Sequence, residues 1–136
     1  MPRVLLFGTF DGLHQGHRHL LTQARTYGDV IVSLPSDETV LRLKGRLPQY
    51  TWEQRKKHLE DSQCVHTVIP SDPREGEYLV ILKHQPDIVA FGYDQTALKD
   101  HFLDWCKRKG YSYRIVDLTS FEPHKYKSSL LRPSSL

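Results

Sequence analysis

The sequence predicts an α/β fold built on a parallel, doubly wound sheet. Short apolar runs of strand length alternate along the chain with stretches of helical periodicity. No repeat, linker or low-complexity segment divides this pattern, so residues 1–136 are expected to form a single domain. Right-handed crossover connections between parallel strands then put helices on both faces of the sheet.

Five strands and four helices follow in order. We predict strands over Val4–Phe7, Val30–Leu34, Val65–Ile69, Ile88–Phe91 and Tyr113–Leu118. The first helix has an apolar face and is expected to stop at Gly28. The second begins at Thr51, where Gln54 completes a capping-box pattern. The third spans roughly Glu75–Lys83, and the fourth ends at Gly110.

Composition narrows the class of protein. A net charge of +3 and an isoelectric point near 8.9 suit small anionic substrates, and they are too weak to indicate nucleic acid. No apolar run approaches the ~20 residues that span a bilayer, so no membrane association is expected. Without a signal-peptide pattern, a cytoplasmic location is favoured, in which Cys64 and Cys106 are idle thiols.

A tight, glycine-punctuated turn follows the first strand. Gly8-Thr9-Phe10-Asp11 leads through Gly12 and Leu13 into His14-Gln15-Gly16-His17, where a helix begins. A helix start offers unpaired N–H groups and the positive end of a dipole, and both favour a phosphate. Residues three apart share a helix face, so both imidazoles can meet one anion. The absence of a G-x-G-x-x-G motif argues against a dinucleotide cofactor.

This segment resembles a known signature. G-T-F-D followed by H-x-G-H is similar to the motif of the HxGH nucleotidyltransferase superfamily. The resemblance implies a Rossmann-like sheet of order 3-2-1-4-5, with strands 1 and 4 beside the ligand crevice. It implies that Gly8, Thr9 and Phe10 bind the nucleotide, with the backbone of Thr9 and Phe10 in contact with phosphate. It also implies that His14 and His17 bind the triphosphate and the transition state.

Other segments match the superfamily in looser form. The loop after strand 4 contributes three predicted nucleotide-binding residues, Gly92, Asp94 and Gln95. Lys44 resembles a lysine that relatives use near the transferred or acceptor phosphate, and Arg46 is predicted to bind the acceptor. Arg55 lies in a segment similar to the family's E-x-R, and the resemblance implies that it reaches the active site.

The C-terminal segment Tyr126–Arg132 resembles the superfamily's I-S-S-T-x-I-R motif. Ser128, Ser129 and Arg132 are predicted to clamp the β- and γ-phosphates, although Pro133 would end the helix after about one turn. Asp11 is predicted to orient the acceptor or to bind Mg²⁺ through water. Most Mg²⁺ ligands are expected to be phosphate oxygens.

The chain looks most like the archaeal-type FAD synthetases, on the segments Asp37–Val40, Lys44–Pro48, Glu53–Arg55, Pro86–Val89 and Gly92–Gln95. That resemblance implies transfer of a nucleotidyl group from a nucleoside triphosphate to FMN. Sequence leaves the base open between ATP and CTP, and aromatic residues available for a flavin wall are Phe10, Tyr50, Trp52 and Tyr93.

Two other functions stay open. One is a cytidylyltransferase that acts on glycerol 3-phosphate or a similar small alcohol or sugar phosphate. The other is a nucleotide-binding protein without catalytic activity, which would bind ATP but release no pyrophosphate. Relatives in the superfamily often form dimers, and a homodimer is an open alternative that the sequence does not decide.

Overall fold

The computed structural model describes residues 1–74 and 76–120 and contains the predicted parallel sheet. Its strands are β1 (Arg3–Phe7), β2 (Asp29–Leu34), β3 (Thr67–Pro70), β4 (Ile88–Phe91) and β5 (Arg114–Asp117). They lie in the order β3-β2-β1-β4-β5, and every neighbouring pair is parallel. Leu5 of β1 is in register with Ile31 on one side and Val89 on the other. The predicted fold class and strand order are confirmed.

Helices cover both faces of this sheet. They are α1 (Gln15–Arg25), α2 (Asp37–Lys44), α3 (Trp52–Asp61), α4 (Leu79–His84) and α5 (Thr96–Lys109). Because successive strand residues point to opposite faces, Leu6 packs with Leu20 of α1 and Leu59 of α3, whereas Leu5 packs with Phe102 of α5. The two buried clusters thus pack against the central strands β1 and β4 from both faces of the sheet.

Helix α2 is absent from the sequence-based prediction. The Ser36 hydroxyl accepts the N–H of Thr39 at its start, and Gly45 ends it in a left-handed conformation. Acidic residues in the first turn and basic residues in the last complement the helix dipole. A serine start and a glycine stop were therefore available in the sequence as signals for this short helix.

Two predicted helix boundaries differ in the structure. Helix α1 ends at Arg25, before Gly28, whose position requires glycine because a Cβ there would lie 2.2 Å from the Pro2 carbonyl oxygen. The third predicted helix, Glu75–Lys83, corresponds to α4, although Glu75 lies outside the described residues. Tyr78 has a left-handed backbone (φ 51°), so the helix starts at Leu79, the residue that follows it.

No helix in residues 1–74 and 76–120 is both long and apolar enough to cross a bilayer. Both cysteines are free thiols. Cys106 packs in the α5 side of the core, and burial raises the pKa of its thiol, so it stays protonated and unreactive at neutral pH.

Candidate active site

The sheet changes its winding direction between β1 and β4, and a crevice opens beyond the carboxyl ends of these strands. Gly8 directly follows β1, and a Cβ there would come within 2.5 Å of the Phe10 ring. Phe10 has a left-handed backbone (φ 48°) and a fully buried ring. The first turn is thus folded tightly around its own phenylalanine, and its backbone faces the crevice.

His14 and His17 form a reciprocal cap at the start of α1. The His17 N–H donates to His14 Nδ1 over 3.3 Å, and the His14 N–H donates to His17 Nδ1 over 3.5 Å. The two rings stack with centroids 3.7 Å apart. Since both Nδ1 atoms accept, each neutral ring carries its hydrogen on Nε2. The backbone therefore fixes two imidazole N–H donors side by side.

Neighbouring residues hold this pair in place. His17 is buried, with its ring edge-on to Phe10 at 5.3 Å. A Cβ on Gly16 would come within 2.9 Å of His14 Cε1. The glycine of the H-x-G-H segment thus makes room for the first histidine's own ring.

Asp11 joins the first turn to the segment after α2. Its carboxylate accepts the N–H of Gln49 at 2.7 Å and the N–H of Tyr50 at 2.9 Å. Both carboxylate oxygens are therefore engaged in holding that segment beside the histidines. Within the described ranges, no three histidine, cysteine or acidic side chains gather as metal ligands.

A cavity of about 400 Å³ opens between the first turn and this segment. We call it the histidine cavity; the predicted residues that line it are Thr9, Asp11, His14, His17, Lys44 and Arg46. Lys44 and Arg46 are exposed cations on one wall, and the paired imidazoles form another. Two cations and two N–H donors around one space suit a polyphosphate.

Arg55 lies below this cavity and is completely buried. Its guanidinium donates to the carbonyls of Thr9, Pro35 and Tyr50 at 2.9–3.1 Å, and to Asp37 Oδ1 at 2.7 Å. The expectation that Arg55 itself reaches the reacting groups does not fit this position. Instead, the side chain holds the backbone of the first turn against the start of α2.

Gln95 bridges the carboxyl ends of β1 and β4. Its Oε1 accepts the N–H of Gly92 at 2.8 Å, and its Nε2 donates to the Phe7 carbonyl at 2.9 Å. Its amide is therefore engaged by backbone on both sides of the crevice. Gln95 therefore links the ends of the two strands that flank the crevice.

Replacement of Gln95 by glutamate should loosen this bridge. The carboxylate can still accept the N–H of Gly92, but it has no hydrogen to donate to the Phe7 carbonyl. We expect the free energy of unfolding to fall by about 1–3 kcal/mol, measured in urea, together with a lower kcat/KM. The control is Gln85→Glu, because Gln85 makes a similar but exposed bond to the Leu82 carbonyl. Equal effects of the two substitutions would contradict the bridging role.

A second cavity, of about 500 Å³, lies between the ends of β4 and β5. We call it the β4–β5 cavity; Gly92, Tyr93, Gln95 and Thr119 line it, and a 2.8 Å ion pair between Lys99 and Asp117 crosses its wall. Asp94 is exposed in the same loop. Two of the predicted nucleotide-binding residues, Gly92 and Gln95, thus line the same cavity.

A third cavity, of about 330 Å³, was not predicted from the sequence. We call it the apolar cavity, and its walls include Phe7, Leu43, Tyr78, Leu98, His101 and the serines Ser33 and Ser71. The two serine hydroxyls lie 2.8 Å apart where β2 and β3 end. A serine inside the apolar run of β2 was the one sequence signal for this space.

None of the four aromatic residues considered available for a flavin wall, Phe10, Tyr50, Trp52 and Tyr93, lines the apolar cavity. The Phe10 ring is fully buried, and Trp52 packs against the core while its Nε1 donates to the Leu34 carbonyl. Tyr50 packs edge-on to His58, 4.8 Å away. Tyr93 lines the β4–β5 cavity. The apolar cavity is instead lined by the rings of Phe7 and Tyr78.

The predicted clamp residues Ser128, Ser129 and Arg132 lie outside the described residues. Near the end of the described residues, Gln23 of α1 binds both backbone groups of Thr119. Its Nε2 donates to the Thr119 carbonyl at 2.9 Å and its Oε1 accepts the Thr119 N–H at 3.0 Å. The chain therefore leaves β5 beside the helix that begins with the paired histidines.

A sheet wound 3-2-1-4-5, with a tight glycine-punctuated turn and paired imidazoles at its switch point, fits the architecture of a nucleotidyltransferase, and this protein is one. A comparison with known protein families identifies the family. Residues 5–133 match the family described as cytidylyltransferase-like, and the chain belongs to that family.

Individual relatives cover most of the chain. A protein of Pyrococcus abyssi named FAD synthase is 42% identical over 135 residues, which are 98% of this chain and 88% of the relative. A glycerol-3-phosphate cytidylyltransferase of Staphylococcus aureus is 34% identical over 79% of this chain and 81% of its own length.

Among solved structures, the chain is similar to a lipopolysaccharide core biosynthesis protein of Thermoplasma volcanium. The TM-score is 0.78 at 27% identity, over 90% of this chain and 99% of the other. This likeness extends the agreement from the sequence motifs to the whole sheet.

Proposed function

We propose that the protein transfers AMP from ATP to the phosphate of FMN, forming FAD and releasing pyrophosphate. The apolar cavity carries this proposal, because it lies at the end of β1 directly beside the histidine cavity. A flat heteroaromatic ring needs an apolar pocket next to the reacting phosphate, and a small alcohol phosphate does not. Relatives named FAD synthase that align with nearly the whole chain support the same acceptor.

The reaction asks the protein for position and charge stabilisation. An oxygen of the FMN phosphate attacks the α-phosphorus of ATP, and the bond from that phosphorus to the bridging oxygen breaks. The leaving pyrophosphate takes the electron pair. We assign the Nε2–H groups of His14 and His17 to the phosphate oxygens that gain charge, because their rings are already held by the helix start.

The three cavities share residues at their borders. Thr9 lines both the histidine cavity and the apolar cavity, so the α-phosphorus and the acceptor phosphate are proposed to meet there. Gln95 lines both the apolar and the β4–β5 cavity, and the nucleoside is assigned to the latter with Gly92 and Asp94. Lys44 and Arg46 then balance the charge of the acceptor phosphate.

Mg²⁺ is proposed to accompany the nucleotide. Asp11 already accepts two backbone hydrogen bonds, and no three-ligand cluster exists among the described residues. The ion is therefore assigned to phosphate oxygens and water, which is its usual mode beside nucleotides. Ser128, Ser129 and Arg132 remain the proposed clamp for the β- and γ-phosphates. Use of cytosolic ATP makes the cytoplasm the proposed location.

The second candidate function is a cytidylyltransferase that acts on glycerol 3-phosphate. Its support is the similarity to glycerol-3-phosphate cytidylyltransferases over 79% of the chain. The histidine cavity suits either reaction, because both transfer a nucleotidyl group to a phosphate. The apolar cavity favours the flavin acceptor.

A pyrophosphate-release assay decides between these functions. ATP and CTP are each combined with FMN or glycerol 3-phosphate in the presence of Mg²⁺, with His17→Ala as the inactive control. We expect release with ATP and FMN, and a fall in flavin fluorescence as adenine stacks on the ring.

Turnover of glycerol 3-phosphate alone would reject the flavin acceptor. Binding of ATP without release of pyrophosphate on either acceptor would instead favour a non-catalytic nucleotide-binding protein.

A further inference from the structure

Besides the Ser33–Ser71 pair, the apolar cavity is lined by a tyrosine–histidine pair that has no assigned part in the phosphate chemistry. Tyr78, just before α4, points its hydroxyl at His101 of α5, with 2.7 Å between the hydroxyl oxygen and Nδ1. Both residues line the cavity. Tyr78 is buried, whereas His101 is exposed. The pair therefore runs from the core to the open space of the cavity.

Three aromatic rings pack around the Tyr78 ring. It makes edge-on contacts with Phe7 and Phe102, at 5.9 and 5.0 Å, and lies 5.1 Å from Trp105. Its backbone adopts a left-handed conformation (φ 51°), which is uncommon for a residue with a bulky side chain. Such conformations persist where the surroundings over-determine them, often at ligand sites.

This contact bears on which nitrogen of His101 carries its hydrogen. Burial raises the pKa of the Tyr78 phenol to about 12, so the hydroxyl keeps its hydrogen at neutral pH. Across residues 1–74 and 76–120, His101 Nδ1 is the only hydrogen-bond partner of that hydroxyl. When Tyr78 donates to Nδ1, the neutral imidazole carries its own hydrogen on Nε2.

Gly76 also lies close to the His101 ring. A Cβ on Gly76 would come within 3.0 Å of His101 Cε1, and Gly76 has a φ of 86° that favours glycine. The ring therefore lies close against the backbone before α4. Among the other residues that line this cavity, Phe7 and Leu98 are apolar, whereas Asp72 and Arg74 are charged.

We propose that His101 donates a hydrogen bond from Nε2 to a ring carbonyl of the acceptor, with Tyr78 as its positioning residue. The ligand class is a flat heteroaromatic ring bearing carbonyl groups, held between apolar walls and connected to the reacting phosphate. This inference rests on the proposed flavin acceptor. It makes His101 a specificity-determining residue for that acceptor over small alcohol phosphates.

The test measures acceptor kinetics of His101→Leu, His101→Gln and Tyr78→Phe with saturating ATP. We expect His101→Leu to raise the KM for FMN about three- to tenfold, with kcat and the KM for ATP changed less than about twofold. Glutamine keeps an N–H donor of similar reach, so His101→Gln should restore most of the affinity. Tyr78→Phe should change the KM for FMN in the same direction by a smaller factor.

Flavin analogues identify the hydrogen bond itself. In 2-thio-FMN and 4-thio-FMN a sulfur, which is a weak acceptor, replaces one ring carbonyl oxygen. The unaltered protein should bind one of the two analogues several-fold more weakly than FMN. His101→Leu should bind that analogue and FMN equally well. An unchanged KM in His101→Leu, or no discrimination against either analogue, would overturn this inference alone. Absence of any FMN turnover by the unaltered protein would overturn the proposed function as well.

Discussion

Replacement of His17 by alanine is expected to lower kcat roughly 100- to 1,000-fold, a loss of about 3–4 kcal/mol of transition-state stabilisation. His17 is buried, and its Nδ1 is engaged by the His14 N–H, so its Nε2–H is held in one direction before substrate arrives. A donor fixed in this way stabilises charge on the α-phosphate without reorganising. Single-turnover release of pyrophosphate measures the effect.

Two variants separate chemistry from folding. His17→Gln retains an amide donor and should recover part of the lost rate. His19→Ala changes a histidine of the same helix that lines none of the three cavities, and it should keep near-wild-type activity. ATP binding to His17→Ala, followed by calorimetry, should fall far less than kcat. A near-wild-type kcat in His17→Ala would refute the assigned role.

Replacement of Arg55 by methionine is expected to have the largest effect on stability. Three backbone carbonyls, of Thr9, Pro35 and Tyr50, lose a buried donor, and Asp37 loses its partner. Leaving buried acceptors unpaired costs about 1–3 kcal/mol each, so the free energy of unfolding should fall by about 3–5 kcal/mol. Urea unfolding followed by circular dichroism measures it.

Arg108→Met is the matched control, because Arg108 is a surface arginine that pairs with Asp104 one turn away. It should change stability by less than about 0.5 kcal/mol. Arg55→Lys keeps the positive charge but not the planar fork of donors, and should remain strongly destabilised. If Arg55→Met matched the control in stability and still lost activity, a direct catalytic role for Arg55 would be restored.

The N-termini of two helices show how much can be predicted from local sequence patterns. Thr51 and Gln54 were predicted to form a capping box, and both of its hydrogen bonds are present. The equivalent spacing of His14 and His17 was interpreted only as a pair of phosphate ligands. In the structure the two rings also cap each other, because an imidazole Nδ1 can accept a backbone N–H as a hydroxyl does.

Arg55 marks the limit of reasoning from motif position. An arginine on an amphipathic helix is normally exposed, and nothing in the sequence of α3 shows that this one is buried. Its four contacts come from three separate segments, around residues 9, 35–37 and 50. Such convergence depends on how the loops fold over the sheet edge, and spacing along one helix does not reveal it.

The amino-acid sequence by itself determined the parallel sheet, its winding and the family, because apolar periodicity and the G-T-F-D and H-x-G-H segments are local and contiguous. Only the tertiary structure shows the apolar cavity, in which we propose that acceptor specificity lies. Phe7, Tyr78 and His101 come from β1, the approach to α4, and α5, and only the packed sheet gathers them around one space. A pocket is a property of distances between distant segments, and those distances are set by the burial of the whole core.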